Sequence, residues 1–192
     1  MKAKITIERI KNMKLYAFLA DGFETVEALA VIDVLRRGKI DVCTVSISDK
    51  REVVSAHRIP VFTDVIFDEC DFSDGDAIFL PGGMPGTLNL EAHAGLSKLI
   101  DRYYEEGKYV TAICAAPSIL GHHNILNGKK ATCYPGYEKE LYGAEATGEA
   151  VVADGKVITA RGMGKAVELG LKLLEVFTDK ETADNMAKTI QF

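Results

Sequence analysis

The sequence has little of what membrane, secreted and nucleic-acid-binding proteins need. No apolar run approaches the ~20 residues of a membrane-spanning helix, and the N-terminus lacks the apolar core of a secretory signal. Lysine and arginine form no run, and the net charge is −5, so a basic surface for nucleic acid is not expected. We therefore expect a cytoplasmic protein that binds neither a membrane nor nucleic acid.

Cysteine is also scarce. The four cysteines, Cys43, Cys70, Cys114 and Cys133, form no C-x-x-C pair and have no histidine nearby at zinc-site spacing. A disulfide framework or a structural zinc ion is therefore not expected, and the thiols are predicted to be reduced. The sequence predicts no metal and no cofactor, and each cysteine has to be judged by its surroundings.

What the chain does contain is the composition of an ordinary folded domain. It has 192 residues, of which 47% are hydrophobic and 27% charged. A domain of this size buries roughly 70% of the surface that its unfolded chain exposes, so it needs no disulfide bond or structural metal ion to fold. We predict one domain over residues 13–192. Residues 1–12, a basic stretch before Met13, are predicted to be a leader outside the core.

Short apolar runs alternate with segments of helical spacing along this domain. The runs typical of buried strands are residues 15–20, 40–47, 77–80, 109–113, 130–133 and 156–160. The helical segments are residues 24–37, about 91–106 and 166–177. This alternation predicts an α/β fold in three layers, with helices on both faces of a doubly wound, mostly parallel sheet. Ligands of such sheets bind at the carboxyl ends of the strands.

The sharpest chemical signal follows the fourth of these runs. Cys114 comes directly after the run and is followed by two small residues, Ala115 and Ala116, and by Pro117. A cysteine at such a strand-to-helix turn has the shape of a nucleophile elbow. The helix N-terminus and nearby N–H groups are expected to favour the thiolate and to lower the pKa of Cys114. The alternative is a buried cysteine with a structural role only.

Two other segments that follow strands should meet Cys114 at the same edge of the sheet. Gly82 and Gly83 can turn backbone N–H groups into the cleft and, with the amide of Ala115, form an oxyanion hole. A plain turn between strand and helix is the alternative for these glycines. Glu27 lies about one turn into the first helix. The helix dipole alone also favours a carboxylate there, as it does for Glu24.

Five segments of the chain, in this order and spacing, carry a resemblance to a known family. They are GFETVEAL (22–29), LPGGMPGTLNL (80–90), TAICAAPSIL (111–120), ATCYPGYE (131–138) and ITARGMGKAVELGL (158–171). Together they resemble the ThiJ/PfpI superfamily, also written DJ-one, and look closest to its small bacterial ThiJ-like branch. The resemblance implies a flavodoxin-like, class I glutamine amidotransferase-like sandwich, a homodimer and a reactive cysteine on the elbow.

The resemblance also implies roles for individual residues. Cys114 matches the family's nucleophile, and Glu27 matches the carboxylic acid that hydrogen-bonds it. Gly83 and Ala115 match the backbone donors beside the cysteine. Thr25 stands where another acid is common in the family, a change that should not touch the pair of Cys114 and Glu27.

Two departures from the family pattern bear on activity. Proteolytic relatives have a histidine directly after the cysteine, where this chain has Ala115, so a protease is not expected. The best-known glyoxalase-type relatives have a histidine where this chain has Tyr134. A phenol with a pKa of ~10 is a poorer base than imidazole at neutral pH, although it can donate a hydrogen bond.

Two basic side chains are weaker candidates for substrate binding. His57 lies in a stretch whose family counterpart approaches the pocket. Arg37 matches a basic position that in relatives helps to hold an anion near the cysteine across the dimer contact. For both residues, an exposed position with no role in the site is the alternative.

Two functions are compatible with this pattern. The first is an enzyme acting on small reactive carbonyls such as methylglyoxal, as a glyoxalase or as a deglycase, through a Cys114 thiolate assisted by Glu27. The second is a non-catalytic, redox-responsive stress protein or chaperone, in which Glu27 stabilises an oxidised Cys114. Because both need the same two residues, only a measurement of turnover separates them.

Overall fold

A computed structural model describes residues 13–192 of the chain. These residues form eleven strands: β1 (Lys14–Leu19), β2 (Asp41–Ser46), β3 (Glu52–Val54), β4 (Pro60–Phe62), β5 (Val65–Ile66), β6 (Ala77–Leu80), β7 (Tyr109–Ile113), β8 (Lys130–Ala131), β9 (Glu145–Ala146), β10 (Val151–Asp154) and β11 (Val157–Ala160). Seven of them make the central sheet, in the order β10-β11-β7-β6-β1-β2-β5. All neighbours in this sheet are parallel except β10 and β11. The carboxyl ends of the central strands therefore share one edge.

Six α-helices connect or follow these strands: α1 (Thr25–Arg37), α2 (Gly86–Ala92), α3 (Ala94–Glu105), α4 (Pro117–His122), α5 (Ala166–Phe177) and α6 (Lys180–Thr189). The start of α1 is fixed by Glu24, whose side chain accepts a hydrogen bond from the Glu27 N–H at 2.7 Å. This cap sets Glu27 in the first turn of the helix, at the carboxyl edge of the sheet.

Both faces of the sheet are covered by helices. On one face, Leu15, Leu19 and Phe79 of the sheet pack against apolar side chains of α1 and α5. On the other face, Phe18 and Ile78 pack against apolar side chains of α3 and α4. Successive strand residues point to opposite faces, so continuous apolar runs supply both cores at once. The predicted three-layer, doubly wound and mostly parallel architecture is confirmed.

Two predicted elements are wrong in extent. The run at residues 130–133 does not join the central sheet: only β8 is a strand, and it pairs with β9. Its next residue, Thr132, donates its N–H to the side chain of Thr159 at 2.9 Å instead of to a strand backbone. The helix expected at about 91–106 is two helices, because His93 is extended and its ring accepts the Leu96 N–H as the cap of α3.

Strand β10 and helix α6 are among the elements that were not predicted. Strand β10 forms a hairpin with β11 around a two-residue turn, Gly155-Lys156, a signal that a search for apolar runs does not detect. Helix α6 begins after Asp179, which caps it by accepting the Thr182 N–H at 2.8 Å. Its polar sequence buries a single residue, Ala183, so it has no strong apolar periodicity to detect.

Residues 1–12, predicted to be a leader, lie outside the described residues. None of the helices described within residues 13–192 is long and apolar enough to cross a membrane.

Candidate functional site

Cys114 occupies a sharp turn at the carboxyl end of β7. Its φ is +65°, in the left-handed region that residues with a Cβ seldom adopt, and its N–H donates to the Ala160 carbonyl of the neighbouring β11 at 2.9 Å. Helix α4 begins three residues later, at Pro117. The turn lifts the partly exposed thiol out of the strand, which is the geometry of the predicted nucleophile elbow.

The carboxyl group of Glu27 lies against this thiol. Glu27 is 1% exposed, and its side chain is hydrogen-bonded to that of Cys114. Its Oε2 atom also accepts the Gly82 N–H at 3.0 Å. A Cβ on Gly82 would lie 2.6 Å from Glu27 Oε2 and 2.7 Å from Cys114 Cβ, so only glycine fits between the two side chains. The contact predicted between the nucleophile and the acid is thus present.

Two backbone N–H groups point at the Cys114 sulfur. They belong to Gly83 and Ala115, the two residues predicted to form an oxyanion hole, and both hydrogen bonds lower the pKa of Cys114. Gly83 has a φ of +95° and packs against the backbone of Phe23 and Glu24, where a side chain would not fit. The glycine loop after β6 is therefore held by the segment that precedes α1.

Burial controls the titration of the acid. Removal from water, with a smaller contribution from the negative charge of Glu24, raises the pKa of Glu27 from 4.5 to about 7, against the hydrogen bonds from Cys114, Gly82 and Met163 that lower it. A carboxyl group with this pKa exchanges a proton near neutral pH, which is what a general acid or base needs.

The expectation of a lowered pKa for Cys114 is wrong for the state in which Glu27 is ionised. Burial first, and then the charge and hydrogen bond of Glu27, raise the pKa of the thiol to about 12, and the Ala115 and Gly83 N–H groups only partly offset this. Helix α4 has six residues, so its dipole is short. When Glu27 takes up a proton, its charge disappears and it can donate a hydrogen bond to the sulfur. A thiolate here therefore requires a protonated Glu27.

Tyr134 lies beside the pair. Its N–H donates to the Cys114 carbonyl at 2.8 Å. Its ring reaches the loop after β11: a Cβ on Gly162 would lie 3.3 Å from Tyr134 Cδ2 and 3.9 Å from Glu27 Oε1. The side chain is 51% exposed. The phenol thus borders the site and remains open to solvent.

Arg37 and His57, the other two candidates from the sequence, do not lie beside Cys114 and Glu27 within this chain. Arg37 lies at the far end of α1, ten residues and about 15 Å along the helix axis from Glu27, and its Nε atom pairs with Asp33 at 2.6 Å. His57 is exposed in the turn between β3 and β4, and within residues 13–192 its side chain makes no hydrogen bond. That hairpin does contact the segment before α1, through the Ala56 N–H and the Phe23 carbonyl at 2.8 Å.

Sequence reasoning missed one contributor to the site. The Met163 N–H donates to the Glu27 carboxyl group, and Met163 begins a 3-10 helix, Met163–Lys165, that follows the short loop after β11. A backbone donor leaves no mark in residue type. The sequence could nevertheless have indicated this region, because it follows a predicted strand and therefore lies at the same edge of the sheet.

The remaining cysteines have no such partners. All four cysteines are free thiols. Burial raises the pKa of Cys43 and of Cys133 to about 11, and it also raises the pKa of Cys70. Within the described residues, only Cys114 combines a carboxyl partner with backbone donors.

Comparisons with known proteins identify the family of this chain. The family model described as DJ-1/PfpI matches residues 13–176. DJ-1beta of Drosophila melanogaster is 31% identical over 172 residues, covering 88% of this chain and 92% of the relative. DJ-1 homolog B of Arabidopsis thaliana is 34% identical over 88% of this chain. The chain spans only 39% of the length of that plant protein, and 45% of the length of DJ-1 homolog A from the same plant.

Solved structures give the same result. Oxidised DJ-1 of Toxoplasma gondii has a TM-score of 0.90 at 31% identity, covering 94% of this chain and 98% of that one. DJ-1beta of Drosophila melanogaster has a TM-score of 0.88 at 30% identity, with the same two coverages of 94% and 98%. Since the family model and relatives of nearly full coverage agree, the chain belongs to the DJ-1/PfpI family.

Proposed function

We propose that this protein is a cysteine-dependent enzyme that acts on small reactive carbonyls such as methylglyoxal, as a glyoxalase or deglycase. The observation that supports this most is the pairing of the Cys114 thiol with a buried carboxyl group whose pKa is raised to about 7. Such a pair can exchange one proton at neutral pH and present a thiolate to an electrophilic carbon. Ala115 stands where a Cys-His protease would need its base, so peptide hydrolysis is not proposed.

For methylglyoxal, the residues would act as follows. The Cys114 thiolate adds to the aldehyde carbon, forming a C–S bond, while the N–H groups of Gly83 and Ala115 hold the oxyanion until Glu27 protonates it. Glu27 then moves the proton on the former aldehyde carbon to the ketone carbon through an enediol, and the hydroxyl proton of the hemithioacetal passes to the ketone oxygen, so that one carbon is oxidised and its neighbour reduced. Water hydrolyses the resulting thioester to lactate and restores the thiol. The step needs no external oxidant.

The test of this function is steady-state loss of methylglyoxal with purified protein. We expect turnover in the native chain and none above background in Cys114→Ser, which keeps the side-chain volume but replaces the sulfur nucleophile. Cys70→Ser is the matched control, because Cys70 is a partly exposed thiol without a carboxyl partner, and it should behave as the native protein. Equal loss of methylglyoxal in the native protein and in Cys114→Ser would refute the proposal.

Tyr134 is expected to assist proton transfer through its hydroxyl group. Tyr134→Phe removes only this group, and we expect kcat to fall by about tenfold, less than the ~10²–10⁴ contributed by a well-placed general acid or base. Tyr134→His should raise kcat if the shorter imidazole reaches the carbonyl. Full activity in Tyr134→Phe, measured on methylglyoxal, would leave the proton transfers to Glu27 and water.

Cys114 should also be the thiol that iodoacetamide alkylates fastest at pH 7. Alkylation needs a thiolate. Among the four cysteines, Cys114 alone has a hydrogen-bonded carboxyl group, that of Glu27, which can accept the thiol proton directly. Peptide mapping after brief treatment measures the order of labelling. Cys133 is buried and should react last, whereas faster labelling of Cys70 than of Cys114 would remove the nucleophile assignment.

A non-catalytic redox role is the second candidate, and one comparison favours it. The similar Toxoplasma gondii DJ-1 was solved in an oxidised form. In this chain the partly exposed Cys114 thiol could be oxidised by peroxide to a sulfinate, with protonated Glu27 donating a hydrogen bond to it. The methylglyoxal assay separates the two roles, since only the enzyme turns over.

We also propose that the protein is a cytoplasmic homodimer. The support is a group of exposed apolar side chains on α1 and the β3–β4 hairpin: Val26, Leu29, Ile59 and Phe62. Phe62 is 73% exposed, an unusual position for a large apolar side chain unless another chain covers it. Light scattering of the purified chain measures the oligomeric state directly.

A further inference from the structure

The last residue of α4, His122, stands between two carboxylates. Its Nδ1 atom contacts Glu91 Oε1, and its Nε2 atom lies 3.0 Å from Glu140 Oε2. The ring of Tyr142 covers it, with the two ring centroids 4.9 Å apart. The side chains of His122, Glu91 and Glu140 are partly exposed, at 30–44%. Within the described part of the chain, neither glutamate forms another ion pair.

These three side chains come from three elements that lead away from the functional site. His122 ends the helix that starts at the elbow of Cys114. Glu91 belongs to α2, which begins three residues after Gly83. Glu140 ends a 3-10 helix, Glu138–Glu140, in the segment that follows Tyr134. The contact thus joins the nucleophile turn, the glycine loop and the residues after Tyr134, here called the Tyr134 segment (residues 134–144).

The Tyr134 segment is also fitted closely to α4. A Cβ on Gly121 would lie 2.9 Å from both Leu141 Cα and the Tyr142 nitrogen, so the backbones touch at this glycine. Leu141 is buried, whereas Tyr134 and Tyr142 on either side of it are about half exposed. Leu141 is the buried apolar anchor of this segment, Tyr137 and Ala144 pack partly buried against the same core, and the His122 contacts add a polar connection to α4.

The charges favour an imidazolium at this position. Burial lowers the pKa of His122, but the hydrogen bonds and the negative charges of Glu91 and Glu140 outweigh it, and the net shift is upward. With both ring nitrogens protonated, each can donate a charge-assisted hydrogen bond to a carboxylate. Neutral histidine has a single N–H, so loss of the proton costs one of the two contacts.

We propose that His122 is a positioning residue whose imidazolium clamps the Tyr134 segment and α2 to the elbow helix, so that Tyr134 is fixed beside Cys114. The clamp is closed at mildly acidic pH, where His122 is protonated and both carboxylates are ionised. It loosens as the pH rises through the titration of His122, because a histidine stabilised as the cation loses that stabilisation above its folded-state pKa. The proposal rests on the proposed function only where it concerns turnover, and its test needs no substrate.

The test is hydrogen exchange of the full chain at pH 6 and pH 9, corrected for the intrinsic rates. The reporters are three amides of the Tyr134 segment that donate to backbone carbonyls at 3.0 Å: Tyr137, Glu140 and Ala144. In the native protein their protection should fall at least about tenfold between the two pH values, the equivalent of one charge-assisted hydrogen bond. In His122→Gln it should be low at both values.

A neighbouring histidine provides the matched control. His123 is the C-terminal cap of the same helix, but its Nδ1 atom pairs with Asp101 of α3 at 2.6 Å and its Nε2 atom lies 3.4 Å from Ser97 Oγ, so its side-chain hydrogen bonds go to α3. His123→Gln should keep the native pH dependence. The same pH dependence in His122→Gln as in the native protein would overturn the proposal.

A second variant covers the case in which His122→Gln does not fold. Glu140→Gln preserves shape but removes one of the two charges, so protection at pH 6 should drop toward the native level at pH 9. Protection unchanged from the native protein at both pH values would equally refute the clamp. Failure of the enzyme proposal, by contrast, would appear only in the methylglyoxal assay and would leave these exchange results as they are.

Discussion

Replacing Glu27 with alanine should lower kcat for methylglyoxal by about 10²–10⁴, the range contributed by a positioned general acid or base. The substitution removes the group that takes the thiol proton and later returns it. It also leaves the buried Gly82 N–H, now 3.0 Å from Glu27 Oε2, without an acceptor. Steady-state kinetics of the two proteins measure the effect.

Two further variants separate proton transfer from positioning. Glu27→Gln retains an oxygen for the Gly82 N–H and a donor for the sulfur but cannot shuttle a proton, so its kcat should fall less than that of Glu27→Ala. Glu24→Gln is the control for a change at the start of α1: it retains the helix cap and should keep kcat within about threefold. If glutamine and alanine at position 27 reduce kcat equally, the shared-proton mechanism is wrong.

The second large effect is expected on stability, as a function of pH. The pKa of Glu27 is raised from 4.5 to about 7 in the folded chain. A raised carboxyl pKa means that the folded state holds a proton that the unfolded state releases, so the contribution of Glu27 to stability is largest below pH 4.5 and is lost as the pH rises to about 7. At 1.36 kcal/mol per pKa unit, this gap is worth about 3 kcal/mol.

Glu27→Gln cannot titrate and should lack this decline. Measured by urea unfolding at pH 4.5 and pH 8, its stability relative to the native protein should improve by about 3 kcal/mol, or roughly 5–10 °C in Tm. The comparison between two pH values removes any constant cost of fitting the amide into the site. Asp33 is an exposed acid on the same helix, and the stability of Asp33→Asn relative to the native protein should be the same at both pH values. If the relative stability of Glu27→Gln is also the same at both pH values, the carboxyl group of Glu27 titrates normally in the native protein.

The positions of the two central residues could be predicted because they depend on local rules. Cys114 follows a buried strand and precedes a proline-started helix, and Glu27 lies one turn into a helix that follows another strand of the same sheet. Parallel strands bring their carboxyl ends to one edge, so residues far apart in the chain are placed together by topology alone. The same rule places the Gly83 and Ala115 amides.

What depends on three-dimensional surroundings could not be predicted. The pKa of Cys114 is decided by its burial and by its contact with Glu27, and neither quantity is visible in the helix-start pattern that suggested a lowered value. The Met163 N–H donates through the backbone, so its residue type carries no signal. The ring of His93 ends one helical pattern and caps the next, and His122 finds its two carboxylates on separate elements.

The left-handed backbone at Cys114 has a consequence for how this chain would change under selection. A φ of +65° is more favourable for glycine than for any residue with a Cβ, and the neighbouring Glu27 carboxyl group is buried at a cost in free energy above pH 4.5. Screening variants for heat tolerance alone should therefore enrich glycine at position 114 and glutamine at position 27. A screen for turnover should reject both, so retention of these two residues through rounds of thermal selection would measure how strongly their chemistry is needed.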